Sequence, residues 1–272
     1  MPVGKPLGRK PIFSPTRLNA YLDCAVKYRY LYIDKIGKFY QKARAGYSFG
    51  STLHHALQTF HEQGGVASKE EMTTQMERSW ISAGYESVEQ EKQTKETGVQ
   101  IVEAYYTAHQ ERAIQKVETI FTEKTITCEY DLFKLTGRVD RIDRHADGSL
   151  EIIDYKSGRL ETSSDEVANS LAMSCYQLIL RKLYPDTRVF ATIYALRGGV
   201  TASYELAGDD FNGFEREILR LGEEIIELNY EFLEPEPLEI CPDCDFLSRC
   251  QRFWAQQRRG QVLDDAHSDD GL

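Results

Sequence analysis

Two short segments, GRVDRID at residues 137–143 and EIIDYKSG at residues 151–158, decide the fold of this chain. Both are rich in β-branched residues, which favour strands. The dipeptide Asp147-Gly148 lies between them and is a strong signal for a tight hairpin turn. The sequence therefore predicts two antiparallel strands that are neighbours in a sheet.

Charged side chains converge at one end of this hairpin. Residues two apart in a strand share a face, so Asp154 and Lys156 project together from the end of the second strand. The turn brings Asp140 back beside that end, whereas Asp143 faces away. Two carboxylates beside an ammonium suit Mg²⁺ or Mn²⁺, which prefer oxygen ligands and bind phosphate oxygens. An isolated Asp-x-Lys is more often a surface ion pair, since charged side chains are mostly solvated.

The chain changes character at Thr119. Residues 14–118 carry apolar side chains at helical spacing, and the first of these helices includes Cys24. Residues 119–206 contain short segments rich in β-branched and aromatic residues, interrupted by one helix. Residues 209–256 hold a last long helix and three clustered cysteines. This order predicts an α/β (α+β) fold with a central mixed β-sheet flanked by helices.

Composition limits the classes of function. With 272 residues and 41% hydrophobic content, the chain can bury a substantial core. We expect a single domain over residues 12–256 and a disordered acidic tail at residues 260–272. A net charge of −10 argues against nonspecific binding to polyanions, so nucleic acid would bind only through local basic patches. No long apolar run or signal peptide occurs, and we expect a cytoplasmic protein with no membrane contact.

The hairpin and its surroundings resemble a known family. GRVDRID, the Asp-Gly turn and EIIDYKSG are similar to the core of the PD-(D/E)XK nucleases, specifically the RecB-like branch. Gly50-x-x-x-His54 resembles the helical histidine motif of that branch, and Tyr176-Gln177 resembles its glutamine motif. His55 is adjacent to His54, but helix geometry places it about 100° around the axis, so the two cannot serve equally.

The resemblance implies a restriction-endonuclease-like core and a role for each matching residue. It implies four metal-binding groups: His54, Asp140, Asp154 and the backbone carbonyl of Tyr155. It implies that Lys156 is the catalytic lysine and that Asp140, Asp154 and Gln177 complete the catalytic set, with Gln177 supporting the site or the bound strand. A metal ion there would acidify a water molecule and stabilise the leaving oxygen.

Three cysteines near the C-terminus form a second candidate site. Cys241 and Cys244 are separated by two residues, and Cys250 follows five residues later. Intracellular thiols are kept reduced, so ligation of a metal is expected rather than disulfides. Three thiolates need a fourth to complete a tetrahedral shell, and on spacing alone zinc and an iron-sulfur cluster both remain open, with zinc the more common.

The family resemblance bears on this choice. In an iron-sulfur subset of RecB-like nucleases, which includes AddB and CRISPR-associated nucleases, one distal cysteine precedes the core and three follow it. Cys24 matches the distal position, so the resemblance implies a 4Fe-4S cluster rather than zinc, held by Cys24, Cys241, Cys244 and Cys250. Such a cluster would staple the two ends of the chain together. Cys128 and Cys175 are expected to be small buried side chains.

A basic surface is expected near these cysteines. Lys27, Arg29, Arg249 and Arg252 have aromatic neighbours in sequence and could guide single-stranded DNA by phosphate neutralisation and base stacking. Packing against the core is the alternative for Tyr28. No motif reads base edges, so sequence specificity is not expected.

These observations predict an Mg²⁺- or Mn²⁺-dependent DNA nuclease, specifically a single-stranded DNA exonuclease in DNA repair, recombination or defence. A nuclease of CRISPR adaptation is the alternative within the enzyme class, with adaptation proteins or a helicase as partners. A non-catalytic iron-sulfur DNA-binding subunit of a helicase-nuclease complex, or a zinc-stapled structural protein, are the alternatives outside it.

Overall fold

The computed structural model describes residues 9–41, 43–113 and 117–268, which form two compact units. One unit comprises residues 9–15 and 43–223, and the other comprises residues 16–41 and 224–268. The second unit therefore combines a segment near the start of the chain with the C-terminal segment. The single domain over residues 12–256 stays a prediction.

A mixed sheet forms the centre of the first unit, as predicted. Its strands are β1 (Ile12–Phe13), β2 (Glu118–Glu129), β3 (Lys134–Arg144), β4 (Leu150–Lys156), β5 (Val189–Ala195) and β6 (Val200–Tyr204). Strand β3 is antiparallel to β2 and β4 and parallel to β1, while β5 is parallel to β4 and antiparallel to β6. Parallel pairing of β4 and β5 requires the helical crossover that residues 164–183 supply.

The predicted Asp-Gly turn joins β3 to β4. Gly148 has a φ of 85°, a left-handed conformation that glycine adopts without steric cost. The Asp147 carboxylate accepts a hydrogen bond from the Ser149 backbone N–H at 2.9 Å, which closes the turn locally. This turn fixes the register in which Asp143 faces Glu151 across the two strands.

Helices flank the sheet and also build the second unit. They are α1 (Pro15–Asp23), α2 (Ala25–Tyr28), α3 (Ala45–Glu62), α4 (Lys69–Arg78), α5 (Val88–Ala113), α6 (Ser164–Ala168), α7 (Leu171–Leu183), α8 (Gly208–Glu227) and α9 (Leu247–Ser268). Helices α3 and α7 both pack against β2 and β3. No helix in the described part of the chain is long and apolar enough to cross a membrane.

The tail prediction is covered only in part by the described residues. Helix α9 continues to Ser268, whereas residues 269–272 lie outside the described residues. Disorder of the acidic tail at residues 260–272 stays a prediction.

Two helix predictions are wrong in detail. Cys24 does not lie inside the first helix, because it adopts an extended conformation between α1 and α2, where its sulfur accepts a hydrogen bond from the Lys27 N–H. The sequence also predicts a single helix near residues 166–184, but the structure has α6 and α7. The Ser170 side chain accepts a hydrogen bond from the Met173 N–H and starts a new helix there.

Helix α3 is anchored by a core that it shares with α4, α5 and β4. Leu53, Leu57 and Phe60 on α3 are almost fully buried together with Ile153 and Tyr155 of β4. Each buried side chain of this size contributes about 1.5–3 kcal/mol through removal of apolar surface from water. The packing holds the middle of α3 beside the end of β4, where the charged residues of the hairpin converge.

Candidate functional site

A cleft in the first unit collects most of the predicted catalytic groups. Its lining includes His54 from α3, Asp140 from β3 and Lys156 at the end of β4. Asp154 lies just beneath the cleft surface, with 8% of its surface exposed. The predicted convergence of two carboxylates and a lysine beside a histidine is therefore present in the structure.

The carboxylate of Asp154 is buried with incomplete compensation. Its Oδ2 atom forms an ion pair of 2.6 Å with Lys156 Nζ, and no other side chain or backbone N–H of the described residues donates a hydrogen bond to this oxygen. Burial raises the pKa of Asp154, and the Asp140 carboxylate raises it further, while Lys156 lowers it. The site thus holds a buried carboxylate whose ionised form is disfavoured despite the ion pair with Lys156.

His54 joins the carboxylates to the backbone of β4. Its Nδ1 atom lies 3.3 Å from Asp140 Oδ1, and its Nε2 atom lies 3.1 Å from the carbonyl oxygen of Tyr155. Asp140 Oδ2 also accepts a hydrogen bond of 2.7 Å from the Tyr155 N–H. Burial lowers the pKa of His54, but hydrogen bonds to Asp140 and Glu123 outweigh this and raise it to about 10.

Glu123 belongs to the same group, although sequence reasoning missed it. Its Oε1 atom lies 3.8 Å from His54 Nδ1, and potential ligand atoms of His54, Glu123 and Asp140 all lie within 4.8 Å of one another. Its Oε2 atom forms an ion pair of 2.6 Å with Arg138. The register of β2 against β3 was the available signal, because it places Glu123 opposite Asp140.

Gln177 and His55 are placed differently from the groups above. Gln177 is fully buried on α7, where its side-chain carbonyl accepts a hydrogen bond of 2.8 Å from the Leu206 N–H. It does not line the cleft, so its proposed catalytic role rests on the resemblance alone. His55 lines the cleft but is not part of the group formed by His54, Glu123 and Asp140.

The four cysteines assigned to a cluster all lie in the second unit. Cys24 caps α2, Cys241 and Cys244 bracket a short 3₁₀ turn, and Cys250 lies in the first turns of α9. They are free thiols, and three of them pack at the edge of a small apolar core formed by Val26, Tyr30 and Phe246.

The thiols are close enough to influence one another. Burial, together with the neighbouring Cys244, Cys24 and Cys241, raises the pKa of Cys250 to about 11. Backbone N–H groups point at two of the sulfurs: Lys27 N–H lies 3.4 Å from Cys24 Sγ and Leu238 N–H lies 3.2 Å from Cys241 Sγ. Such donors stabilise thiolate charge, which a metal ligand requires.

Cys128 and Cys175 are both buried in the first unit, and burial raises the pKa of each thiol. Each is therefore held as a neutral, weakly nucleophilic thiol in the interior. This placement agrees with their predicted role as small core side chains.

Most of the basic residues predicted to bind DNA contact other side chains of the second unit. Lys27 forms an ion pair of 2.8 Å with Asp23, and Arg29 forms one of 3.2 Å with Asp34. The guanidinium of Arg249 lies 4.9 Å from the centre of the Tyr30 ring. Arg252 is exposed. Tyr28 packs in the interior, as the alternative reading expected.

A comparison with known families adds to this geometry. The family model of the PD-(D/E)XK nuclease superfamily matches residues 12–251. The chain belongs to this superfamily. The match covers both the cleft of the first unit and the cysteines of the second.

Solved structures align with this PD-(D/E)XK chain at low identity. SSO0001 is 14% identical over 88% of this chain and 85% of its own, with a TM-score of 0.40. A candidate exonuclease from Eubacterium rectale is 12% identical over 88% of this chain and 98% of its own, with a TM-score of 0.45. Protein VC1899 from Vibrio cholerae is 11% identical over 80% of this chain and 55% of its own, with a TM-score of 0.25. Among curated proteins, none matches the sequence.

The cleft of this PD-(D/E)XK chain fits a divalent metal ion. Both ring nitrogens of His54 face oxygen acceptors, so one of them needs either a second proton or a cation. The carboxylates of Asp140, Glu123 and Asp154 supply hard oxygen ligands, and the Asp154 oxygen has an unmet hydrogen-bonding capacity. The donor set therefore matches Mg²⁺ or Mn²⁺ better than a soft metal.

The glycines of the two family motifs have a packing role. A Cβ atom at Gly137 would overlap the ring of Tyr176, so the absence of a side chain lets β3 approach α7. A Cβ atom at Gly50 would lie 3.1 Å from the Ser157 hydroxyl, just after Lys156. Both glycines thus permit close approach of elements that carry the catalytic groups.

Proposed function

We propose that this PD-(D/E)XK chain is a metal-dependent deoxyribonuclease, specifically an exonuclease that hydrolyses phosphodiester bonds of single-stranded DNA. The observation that carries the proposal is the convergence of His54, Asp140, Asp154 and Lys156 at one cleft of the first unit. A surface ion pair would need neither the buried second carboxylate nor the histidine.

Each side chain has a role in the proposed reaction. His54, Asp140, Asp154 and the carbonyl of Tyr155 hold the metal ion. When bound, that ion supplies Lewis acidity, which lowers the pKa of water and neutralises charge on the phosphate. Lys156 lies next to Asp154, from where its ammonium can orient the attacking water and offset charge that develops on the phosphate.

We further propose that Cys24, Cys241, Cys244 and Cys250 hold a 4Fe-4S cluster, which places the chain in the RecB-like branch. The N–H groups aimed at two of the sulfurs, and the small apolar core against which three of the cysteines pack, support a metal-thiolate site. Zinc is the alternative occupant. Because all six cysteines are free thiols, a reducing compartment such as the cytoplasm suits the protein.

The proposed biological setting is DNA repair, recombination or defence, with a helicase or CRISPR-adaptation proteins as partners. Single-stranded DNA would approach over the exposed Arg252 and the neighbouring basic residues of the second unit.

The nuclease proposal is tested with end-labelled linear and circular single-stranded DNA in Mn²⁺, Mg²⁺ or chelator. We expect the wild-type protein to digest the linear strand only with metal, and Asp154→Ala and Lys156→Ala to abolish digestion. Resistance of the circle indicates an exonuclease, whereas its cleavage contradicts the need for an end. A cluster-loaded, folded protein that never cleaves supports instead a non-catalytic DNA-binding subunit.

The cluster proposal is tested on anaerobically purified protein by iron and sulfide analysis. We expect about four irons per chain and visible absorbance in the wild type, both lost in Cys244→Ala and both kept in Cys128→Ala. Colourless protein with one zinc per chain would contradict the cluster and leave the nuclease proposal intact.

A further inference from the structure

Glu123 occupies a position that is unfavourable for a carboxylate in an ordinary sheet. Thr122 pairs with Arg141 and Lys124 pairs with Val139, so Glu123 lies across from Asp140, although these two residues do not themselves form a bridged pair. Like charges placed directly opposite each other across two strands destabilise the pairing. His54 Nδ1 lies 3.3 Å from Asp140 Oδ1 and 3.8 Å from Glu123 Oε1, and a divalent cation at this place would offset the two negative charges more fully than an imidazolium.

The backbone at Glu123 carries a second cost. Its φ is 45°, in the left-handed region, where residues other than glycine, asparagine and aspartate are rare. The residues on either side keep the register of β2 with β3, so the distortion is confined to this residue. Such isolated departures cluster at functional sites, where the surrounding structure enforces them.

The two carboxylate oxygens of Glu123 have different partners. Oε2 contacts Arg138 at 2.6 Å, and Oε1 lies within 3.8 Å of His54 Nδ1. The glutamate side chain is 12% exposed, whereas that of Arg138 is 67% exposed at the cleft rim. Oε2 is therefore held by an arginine on the solvent side, whereas Oε1 is directed to the group formed with His54 and Asp140.

We propose that Glu123 is a further protein ligand of the divalent cation in the cleft, and that Arg138 positions its carboxylate. The inference rests on the metal-dependent function proposed above and adds a ligand that the family motifs do not include. Potential ligand atoms of Glu123, His54 and Asp140 all lie within 4.8 Å of one another, so a cation held by His54 and Asp140 is within reach of the Glu123 carboxylate. Mg²⁺ and Mn²⁺ accept further carboxylate oxygens in their octahedral shells.

The affinity for Mn²⁺ alone, measured by calorimetry without DNA, tests the inference. We expect Glu123→Gln to raise the dissociation constant by about tenfold or more. Glu118→Gln is the matched control, because Glu118 is also a glutamate on β2 that faces an arginine of β3, at 3.8 Å, but lies away from the cleft. It should leave the dissociation constant within about twofold.

Thermal melting separates a metal ligand from a simple ion pair. In chelator, we expect Glu123→Gln to melt at or above the wild-type temperature, because it removes one of two facing carboxylates. The rise in melting temperature that Mn²⁺ gives the wild type should shrink. Equal losses of melting temperature in Glu123→Gln and Arg138→Gln, with and without Mn²⁺, would show that the pair is only structural and overturn the inference.

Asp154→Asn distinguishes failure of this inference from failure of the proposed function. Loss of Mn²⁺ binding in Asp154→Asn with wild-type affinity in Glu123→Gln overturns the role of Glu123 alone. A wild-type protein that binds no Mn²⁺ overturns both proposals. Weakened binding in both variants, with Glu118→Gln unchanged, supports both.

Discussion

Asp140 and Asp143 lie three residues apart on β3, yet their surroundings differ. Asp140 belongs to the cleft cluster, defined here as His54, Glu123, Asp140, Asp154 and Lys156. Asp143 belongs to the Arg141 cluster, defined as Arg141, Asp143, His61, Tyr105 and Tyr155. Both clusters lie in the first unit and are partly or fully buried.

In the Arg141 cluster the charges are matched inside the protein. Arg141 is 2% exposed, and its Nη2 atom lies 2.9 Å from Asp143. Its Nη1 atom contacts the hydroxyls of Tyr105 and Tyr155, and the Thr119 hydroxyl donates a 2.9 Å hydrogen bond to Asp143. A guanidinium stays charged at any ordinary pH, so the charge of Asp143 is balanced without a bound ion, although Arg141 Nε has no hydrogen-bond partner among the described residues.

In the cleft cluster the balance depends on a group that can lose its proton. The cluster has three carboxylates, those of Glu123, Asp140 and Asp154, but only two cationic side chains, Lys156 and His54. Arg138 contacts Glu123 from the exposed rim, so negative charge remains in excess inside the cluster even when His54 is protonated. The comparison teaches that burial of charge alone does not mark a functional site. An excess of carboxylates over cationic side chains does, because it leaves a place for an external cation.

The largest change in stability is expected from the Arg141 cluster. Arg141→Met should lower the free energy of unfolding by about 3–5 kcal/mol, because it leaves Asp143 as an uncompensated buried charge. Urea denaturation measures the loss. Arg144→Met is the control, because Arg144 is an exposed residue of the same strand and should change stability by no more than about 0.5 kcal/mol. Equal effects of the two variants would contradict the account.

A smaller loss is expected where β3 passes α7, below the cleft cluster. Gly137→Ala places a methyl group into the Tyr176 ring, and overpacking of this kind costs about 1–3 kcal/mol. Gly50→Ala is the comparison, because its Cβ would meet only the Ser157 hydroxyl and helix propensity favours alanine by about 1 kcal/mol. Thermal unfolding should rank Gly137→Ala well below Gly50→Ala, and the reverse ranking would contradict the packing role.

A single hydrogen bond sharpens the description of the Arg141 cluster. Thr119→Val keeps the shape of the side chain but removes the donor to Asp143, and we expect a loss of about 1.5 kcal/mol. Thr125→Val, at an exposed position of the same strand, should change stability by less than about 0.5 kcal/mol. If the two variants unfold at the same urea concentration, the Thr119 hydroxyl contributes nothing to stability.

In the cleft cluster, by contrast, replacement of a charged side chain should not lower the free energy of unfolding. Burial and Asp140 raise the pKa of Asp154, so its ionised form is disfavoured in the fold and stability falls as the pH rises through that pKa. Asp154→Asn in chelator should therefore unfold at the wild-type midpoint or up to about 1 kcal/mol above it, and should lose part of the pH dependence. A clear destabilisation at pH 7 would mean that Asp154 is structural.

Much of the cleft could be predicted because its logic is local. The two-residue period of a strand and the Asp-Gly turn place Asp140, Asp154 and Lys156 together, and the structure has this arrangement. The mixed sheet followed from the order of the elements, and membership of the PD-(D/E)XK superfamily followed from the motifs.

Other features depend on tertiary context that local patterns do not carry. Glu123 joins the cleft cluster because its strand, β2, pairs with β3, which follows later in the sequence. The neighbouring residues in the sequence do not indicate its left-handed backbone conformation. The helix is interrupted at Cys24 because the Cys24 sulfur caps α2. The periodicity of apolar residues does not reveal such a cap. The ion pair between Asp143 and Arg141 likewise could not be predicted, because it depends on the burial of both side chains in the folded protein.

Two lysines of the first unit offer the most direct test of the central claim. Lys156 and Lys134 have side chains that are 39% and 40% exposed, and each forms an ion pair with one carboxylate, but only Lys156 lines the cleft. The rate of digestion of linear single-stranded DNA in Mn²⁺ should fall by about 10²- to 10⁴-fold in Lys156→Ala and stay unchanged in Lys134→Ala. A Lys156→Ala protein that digests DNA at the wild-type rate would contradict the account.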